Sequence, residues 1–226
     1  MRLWIALTLA VAASGCTDKT SVNEGTSAEP AARSESTKPE VRPAPMALAG
    51  PFGTEMGMTA QELRSAIGSD AQSDDGEYAV YRSAPKPHSS FDSYAFLSAP
   101  GEGLCKIVAT GPVTTNRFGS ELQREFDKVK EALVRRYGEP SNSLNHLLAG
   151  SIWNEPQDFT MGMAKGDRKL ASLWSSEKHA LPNDLSAIVV EASASGPGEG
   201  SIQVSYEYSN FDNCIAAYKK KGDAAL

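Results

Sequence analysis

Side chains able to do chemistry are few in this chain, and they stand apart from one another. His88, His146 and His179 are scattered, outside the clusters of His, Cys and carboxylates that zinc or copper ligation needs, and read as solvated loop residues. Ser83-Ala84-Pro85-Lys86 and Ser175-Ser176-Glu177-Lys178 both spell Ser-x-x-Lys, in which a lysine one helical turn on can serve an acylating serine. That chemistry needs the serine at a helix start, with Ser-Asp-Asn and Lys-Thr-Gly elsewhere. Neither companion is present, Pro85 interrupts the first match, and the second follows a strand pattern. No Gly-x-Ser-x-Gly, P-loop or dinucleotide fingerprint occurs, so no cofactor is expected. Glu155, Asp158 and Asp167 stand near Trp153 and Trp174, a composition that suits sugar binding or glycoside cleavage if the fold converges them.

The strongest local pattern is an address. Arg2 precedes an apolar run over residues 3–13, which ends in Ala13-Ser14-Gly15-Cys16. A charged start, an apolar stretch of about 7–15 residues and small residues at a cleavage site define an export signal. The run is shorter than the roughly 20 residues a bilayer span requires. The small residues before the cysteine resemble the lipobox of bacterial lipoproteins, with alanine where that family most often carries leucine. The resemblance implies removal of residues 1–15 and acylation of Cys16, whose chains (palmitate among them) anchor the protein to a membrane. Thr17 is not the aspartate associated with inner-membrane retention, so the expected location is the outer membrane, facing the periplasm. The other reading is an ordinary secretory signal cut near Ala13 or Gly15. Lipidation of Cys16 leaves Cys105 and Cys214 in an oxidising compartment, where an even pair implies a disulfide; two buried free thiols are the alternative.

Residues 16–50 form a tether in this reading. Pro30, Pro39, Pro43 and Pro45 interrupt a stretch of Ser, Thr, Ala and Glu without aromatics, too poor in apolar surface to offset the entropy of ordering. A flexible chain of this length spans roughly 30 Å. Residues 51–226 are of single-domain size. The whole chain carries a formal net charge of −6, which argues against nucleic acid and anionic headgroups as partners.

Within that body the periodicity alternates between helix and strand. Thr59 and Glu62 make a capping box, Met58 and Leu63 fit the hydrophobic staple, and Gly68 offers a left-handed stop. Strands are expected at 78–82, 91–98 and 104–110, the last two joined by Pro100-Gly101-Glu102-Gly103. Residues 120–137 carry Leu122, Phe126, Val129, Leu133 and Tyr137 on one helical stripe. A second capping box at Ser120 and Gln123 is expected to open that helix, and Gly138 and Pro140 to end it. Strands at 170–174, 187–192 and 202–208 follow, then a helix over 213–226. The turn Pro197-Gly198-Glu199-Gly200 repeats the one at 100–103. The fold class is therefore α+β: antiparallel sheet packed by helices, with tandem α-β-β-β units over 51–112 and 113–226 suggested by the matched turns.

Gly57-Met58-Thr59, Glu62-Leu63 and Ile67-Gly68 together are similar to the opening motif of the BamE family of outer-membrane assembly lipoproteins, and of the β-lactamase inhibitor protein that shares its architecture. Tyr137-Gly138-Glu139-Pro140 with Trp153 looks like a second, looser copy. Both relatives act by binding proteins. The resemblance implies a non-catalytic module for a protein partner in the envelope, in an assembly, inhibitor or immunity role. A glycan or small-molecule binder, or a cell-wall hydrolase, is the alternative, and requires a cleft where Trp153 or Trp174 meets two carboxylates.

Overall fold

The sheet grows outward from two long central strands, β4 (Gly103–Thr114) and β8 (Glu199–Tyr208), paired antiparallel from Lys106↔Glu207 to Thr114↔Glu199. The computed structural model describes residues 50–223, with side chains to residue 220. Cys16, the signal segment and the expected tether up to residue 49 lie outside the described residues. On one side of β4 come β3 (Ser93–Ala99), β2 (Tyr78–Tyr81) and β1 (Ser73–Asp74). On the other side of β8 come β7 (Leu185–Gly196), β6 (Arg168–Ser175) and β5 (Asn142–Leu147). The order β1-β2-β3-β4-β8-β7-β6-β5 is antiparallel throughout, and the two halves mirror each other about the β4–β8 seam. The protein is α+β, with an eight-stranded antiparallel sheet packed by four helices.

Each half holds one strand more than expected. β1 is two residues long, and β5 has no apolar alternation, so neither reads as a strand alone; each is recruited as an edge by its neighbour. The expected unit boundary at residue 112 falls inside β4, which continues to Thr114.

Three helices bury their side chains on one face. Helix α1 (Ala60–Ile67) starts with the expected box: Thr59 Oγ1 accepts the Glu62 amide and Glu62 accepts the Thr59 amide, at 3.2 and 2.8 Å. It ends at Gly68 in the left-handed conformation (φ 75°). Helix α2 (Ser120–Tyr137) buries Leu122, Phe126, Val129, Leu133 and Tyr137 as its stripe dictates. Its expected capping box is absent. The N-cap is Gly119, with φ 70°, and Ser120 is already helical. Orphan donors are met from upstream instead: the Ser120 amide donates to Asn116 Oδ1 and the Leu122 amide to Thr115 Oγ1, and Glu121 reaches back to accept the Asn116 amide and the Thr115 hydroxyl. At the other end Trp174 Nε1 donates to the Gly138 carbonyl at 2.7 Å, fastening α2 to β6. The short α3 (Phe159–Ala164), entered through a 3-10 turn at Pro156–Asp158, was not legible in the sequence; it adds Phe159 and Met163 to the same core.

Helix α4 (Phe211–Asp223) starts two residues before the expected position and packs on the opposite face, against β3 and β4. The register there skips Cys105: Leu97 faces Lys106 and Ser98 faces Leu104. Cys105 is the extra residue of a β-bulge, which turns its side chain toward α4. It joins Ala99 and Cys214 in a second cluster with Phe211, Ala217 and Tyr218. Among the described residues no helix is long and apolar enough to cross a membrane.

Candidate functional site

The segment before α1 builds one wall of a cleft. Thr54 is fully buried; its hydroxyl donates to the Pro51 carbonyl at 2.7 Å and shares a 3.0 Å hydrogen bond with the Tyr208 hydroxyl. That clasp holds the 3-10 turn Pro51–Gly53 against β8, and the Lys86 amide donates to the Phe52 carbonyl at 2.8 Å. Phe52 takes φ 52°, in the left-handed region that costs a non-glycine residue about 1 kcal/mol or more. Its ring makes edge contacts with Phe91, Tyr94 and Tyr206, at centroid distances of 5.8, 5.1 and 5.6 Å.

Beneath this ring, α2 and β8 leave a cleft of about 480 Å³, within the range of small-molecule sites. Val129, Leu133 and Tyr137 line it from α2, Val204 and Tyr206 from β8. Lys86 and His88, both exposed, stand on the loop at its edge, and Arg136 lines it beside the Tyr137 ring, 5.3 Å from the centroid. Among the described lining residues none is acidic. Tyr206 is 7% exposed, and neither its hydroxyl nor that of Tyr137 has a hydrogen-bond partner among the described residues. Burial pushes both phenols above their ordinary pKa, Tyr206 furthest, so each stays a neutral donor.

A second feature lies at the β5 edge. Residues 141–154 contain no Asp, Glu, Lys or Arg. Leu144, Leu148 and Ile152, in β5 and the loop beyond, are 43%, 50% and 76% exposed. The opposite edge is β1, two residues long, with Asp74, Asp75 and Glu77 at its turn.

The residues singled out from the sequence fall as follows. Cys105 and Cys214 stand in disulfide position, with Cα atoms 6.5 Å apart. His88 edges the cleft, His146 lies exposed on β5 rather than in a loop, and His179 is half-buried near the β6–β7 connection. Among the described residues no group of three or more His, Cys, Asp or Glu could hold a metal ion. Ser83 donates to the Ala84 carbonyl, and neither Ser-x-x-Lys serine begins a helix. Trp174 is fully buried, so it presents no ring to a sugar. Asp167 accepts the Ser151 hydroxyl at 2.7 Å, and Asp158 pairs with Arg117 at 3.5 Å. The cleft lining comes from four separated stretches, around residues 50–53, 86–91, 129–137 and 204–206; the only local signals were the α2 stripe and the β8 alternation. Comparisons with protein-family models, with curated proteins and with solved structures find no match for this chain.

Proposed function

We propose that the chain is a lipid-anchored protein of the bacterial envelope that binds a partner protein without catalysis, at the edge of β5. The observation that carries this is the charge-free run 141–154 with Leu144, Leu148 and Ile152 exposed. Natural edge strands are ordinarily shortened or charged to block unwanted pairing. β1 has both devices, and the six-residue β5 has neither. An open strand edge beside apolar side chains suits an extended, uncharged or apolar segment of another protein, which adds its backbone hydrogen bonds to β5 and covers the leucines and isoleucine. Anchoring through acylated Cys16 follows from the lipobox-like residues 13–16, with the outer membrane, periplasmic side, as the location. The resemblance of residues 57–68 to protein-binding lipoproteins points the same way.

The test places a photo-crosslinking amino acid at Leu144 or Ile152 of the full chain in intact cells. One discrete partner should be captured at both positions and not at Lys128 on α2, and Ile152→Asp should abolish capture from position 144. Capture at Lys128 alone, or none at either β5 position, sinks the assignment. Labelled palmitate should mark the wild type and not Cys16→Ala.

A further inference from the structure

The cleft under Phe52 is a surface of a different kind from the β5 edge. We infer that its occupant is this chain's own segment 46–49, just ahead of the described residues, with the Met46 and Leu48 side chains seated on Leu133, Val204 and Tyr206. Position is the first argument. Gly50 is buried and itself lines the cleft. Consecutive Cα atoms are about 3.8 Å apart, so Leu48 lies within about 8 Å of Gly50 and Met46 within about 15 Å. Gly50 is extended, with φ −59° and ψ 179°. A Cβ added to it would meet the Thr54 carbonyl and come within 3.5 Å of the Tyr208 hydroxyl. Its side therefore faces the β8 row of Val204, Tyr206 and Tyr208, whose first two members line the cleft. Alternate residues of an extended chain share a side, which sets Leu48 and Met46 on the same one as Gly50.

Composition is the second. Residues 17–45 contain no Leu, Ile, Met or aromatic, and Met46 and Leu48 are the first Met and Leu after residue 16. Residues 43–54 contain no Asp, Glu, Lys or Arg, in a chain that is 22% charged. The shift from leash to body composition thus comes before Gly50, and it carries no charge into the apolar, aromatic walls of Phe52, Phe91 and Val129. Pro43, Pro45 and Pro51 fix φ around the segment, so less freedom is lost when it settles. A separate apolar molecule gives up its translational and rotational freedom on entering the cleft. A segment joined directly to Gly50 is present at an effective concentration on the order of millimolar or more, and outcompetes it. The leash of the full chain then ends at residue 45, and the body is rooted beside the cleft.

The experiment uses the full chain in isolated membranes, with a diazirine amino acid at position 48. Irradiation should join that position to peptides of the same molecule spanning residues 86–91 or 129–137; the same probe at Ser34 should not. Solvent access gives a second reading. Ala132, half-buried on α2, lines the cleft, and in Ala132→Cys the new thiol should react slowly with a maleimide, as read on the peptide carrying residue 132. Adding Met46→Asp and Leu48→Asp should speed that reaction by at least about fivefold while the circular dichroism of the body is unchanged. No link from position 48 to the cleft, or an unchanged maleimide rate, overturns the inference. Protection that survives the Asp pair and disappears only on detergent extraction also overturns it, and assigns the cleft to membrane lipid. None of these results bears on capture at β5.

Discussion

Reduction of the Cys105–Cys214 pair should cost the body a large share of its stability. The two residues are 109 apart in sequence, one in the bulge of β4 and the other in the first turn of α4. In the chain-entropy model, closing a loop of that length removes about 16 cal/mol/K from the unfolded chain, which is about 4.8 kcal/mol at 25 °C. A domain of this size unfolds in urea with a slope of about 2 kcal/mol/M, so full loss corresponds to a midpoint roughly 2 M lower. Both side chains are fully buried, and reduction leaves two thiols in place with no cavity, so the change reports the cross-link and not packing. Equilibrium urea unfolding of oxidised protein, reduced protein and Cys105→Ala/Cys214→Ala, followed by tryptophan fluorescence and far-UV circular dichroism, measures it. The reduced form should fall by roughly 1.5–2 M, and the double variant slightly further. A fall under about 0.5 M would refute the reasoning. So would a separate early transition carrying only the helical signal of α4, because the bridge would then pin one helix and not restrain the whole unfolded chain.

Two further outcomes follow from the interior. Burial pushes the Tyr208 phenol up to about 12; the unfolded chain releases that proton near 10, so between these values the unfolded state binds fewer protons and stability falls as pH rises. The contribution is fully present below pH 10, and up to about 2.7 kcal/mol is lost through pH 12. Urea midpoints at pH 9 and 11 should separate, and Tyr208→Phe should reduce the difference by its own share, leaving that of Tyr206 and Tyr137, while costing about 1 kcal/mol at neutral pH for its bond to Thr54. Gly111 sits in β4 where an added Cβ would meet the Ser90 carbonyl oxygen at 1.7 Å, whereas Gly196 in β7 has nothing within 4 Å. Gly111→Ala should therefore lower stability by about 3 kcal/mol and Gly196→Ala by less than about 0.5; equal effects in thermal unfolding would show that the loop before β3 yields freely.

Much of the fold was legible because local and tertiary preferences agree. The Thr59–Glu62 box, the five-residue stripe of α2 and the alternation of β8 each satisfy a local rule and a burial requirement together, and each appears where expected. Legibility failed where tertiary partners supply what the local chain lacks. β5 reads as a loop because Asn142, Asn145 and His146 have no strand preference; its pairing with β6 makes the strand. Ser120 and Gln123 spell a capping box, but Ser120 is already helical, its amide donates to Asn116 Oδ1 and the Gln123 amide donates to the Gly119 carbonyl. Cys105 is the sharpest case. It shares parity with Ile107 and Ala109, so an unbroken strand would aim its thiol into the main core, away from Cys214. Only the bulge places it under α4, and a bulge leaves no mark in hydrophobic periodicity.

The β5 edge and the cleft under Phe52 differ in legibility for the same reason. The β5 edge is written in contiguous residues: a stretch without charge in a chain that is 22% charged is visible by eye, and its meaning needs only the knowledge that β5 is an edge. The cleft has no such trace. Phe52, Lys86, Leu133 and Tyr206 lie in four separate stretches, and each has an ordinary local reading: a turn residue, a loop lysine, a helix stripe, a strand alternation. What converts them into a site is the Thr54–Tyr208 clasp, which draws the segment before α1 across β8 and sets Phe52 above α2. That clasp joins residues 154 apart, beyond the reach of any pattern a helix or strand imposes. Lys86 and Arg136 are likewise unremarkable in sequence, and only the fold brings the loop and α2 to the same opening.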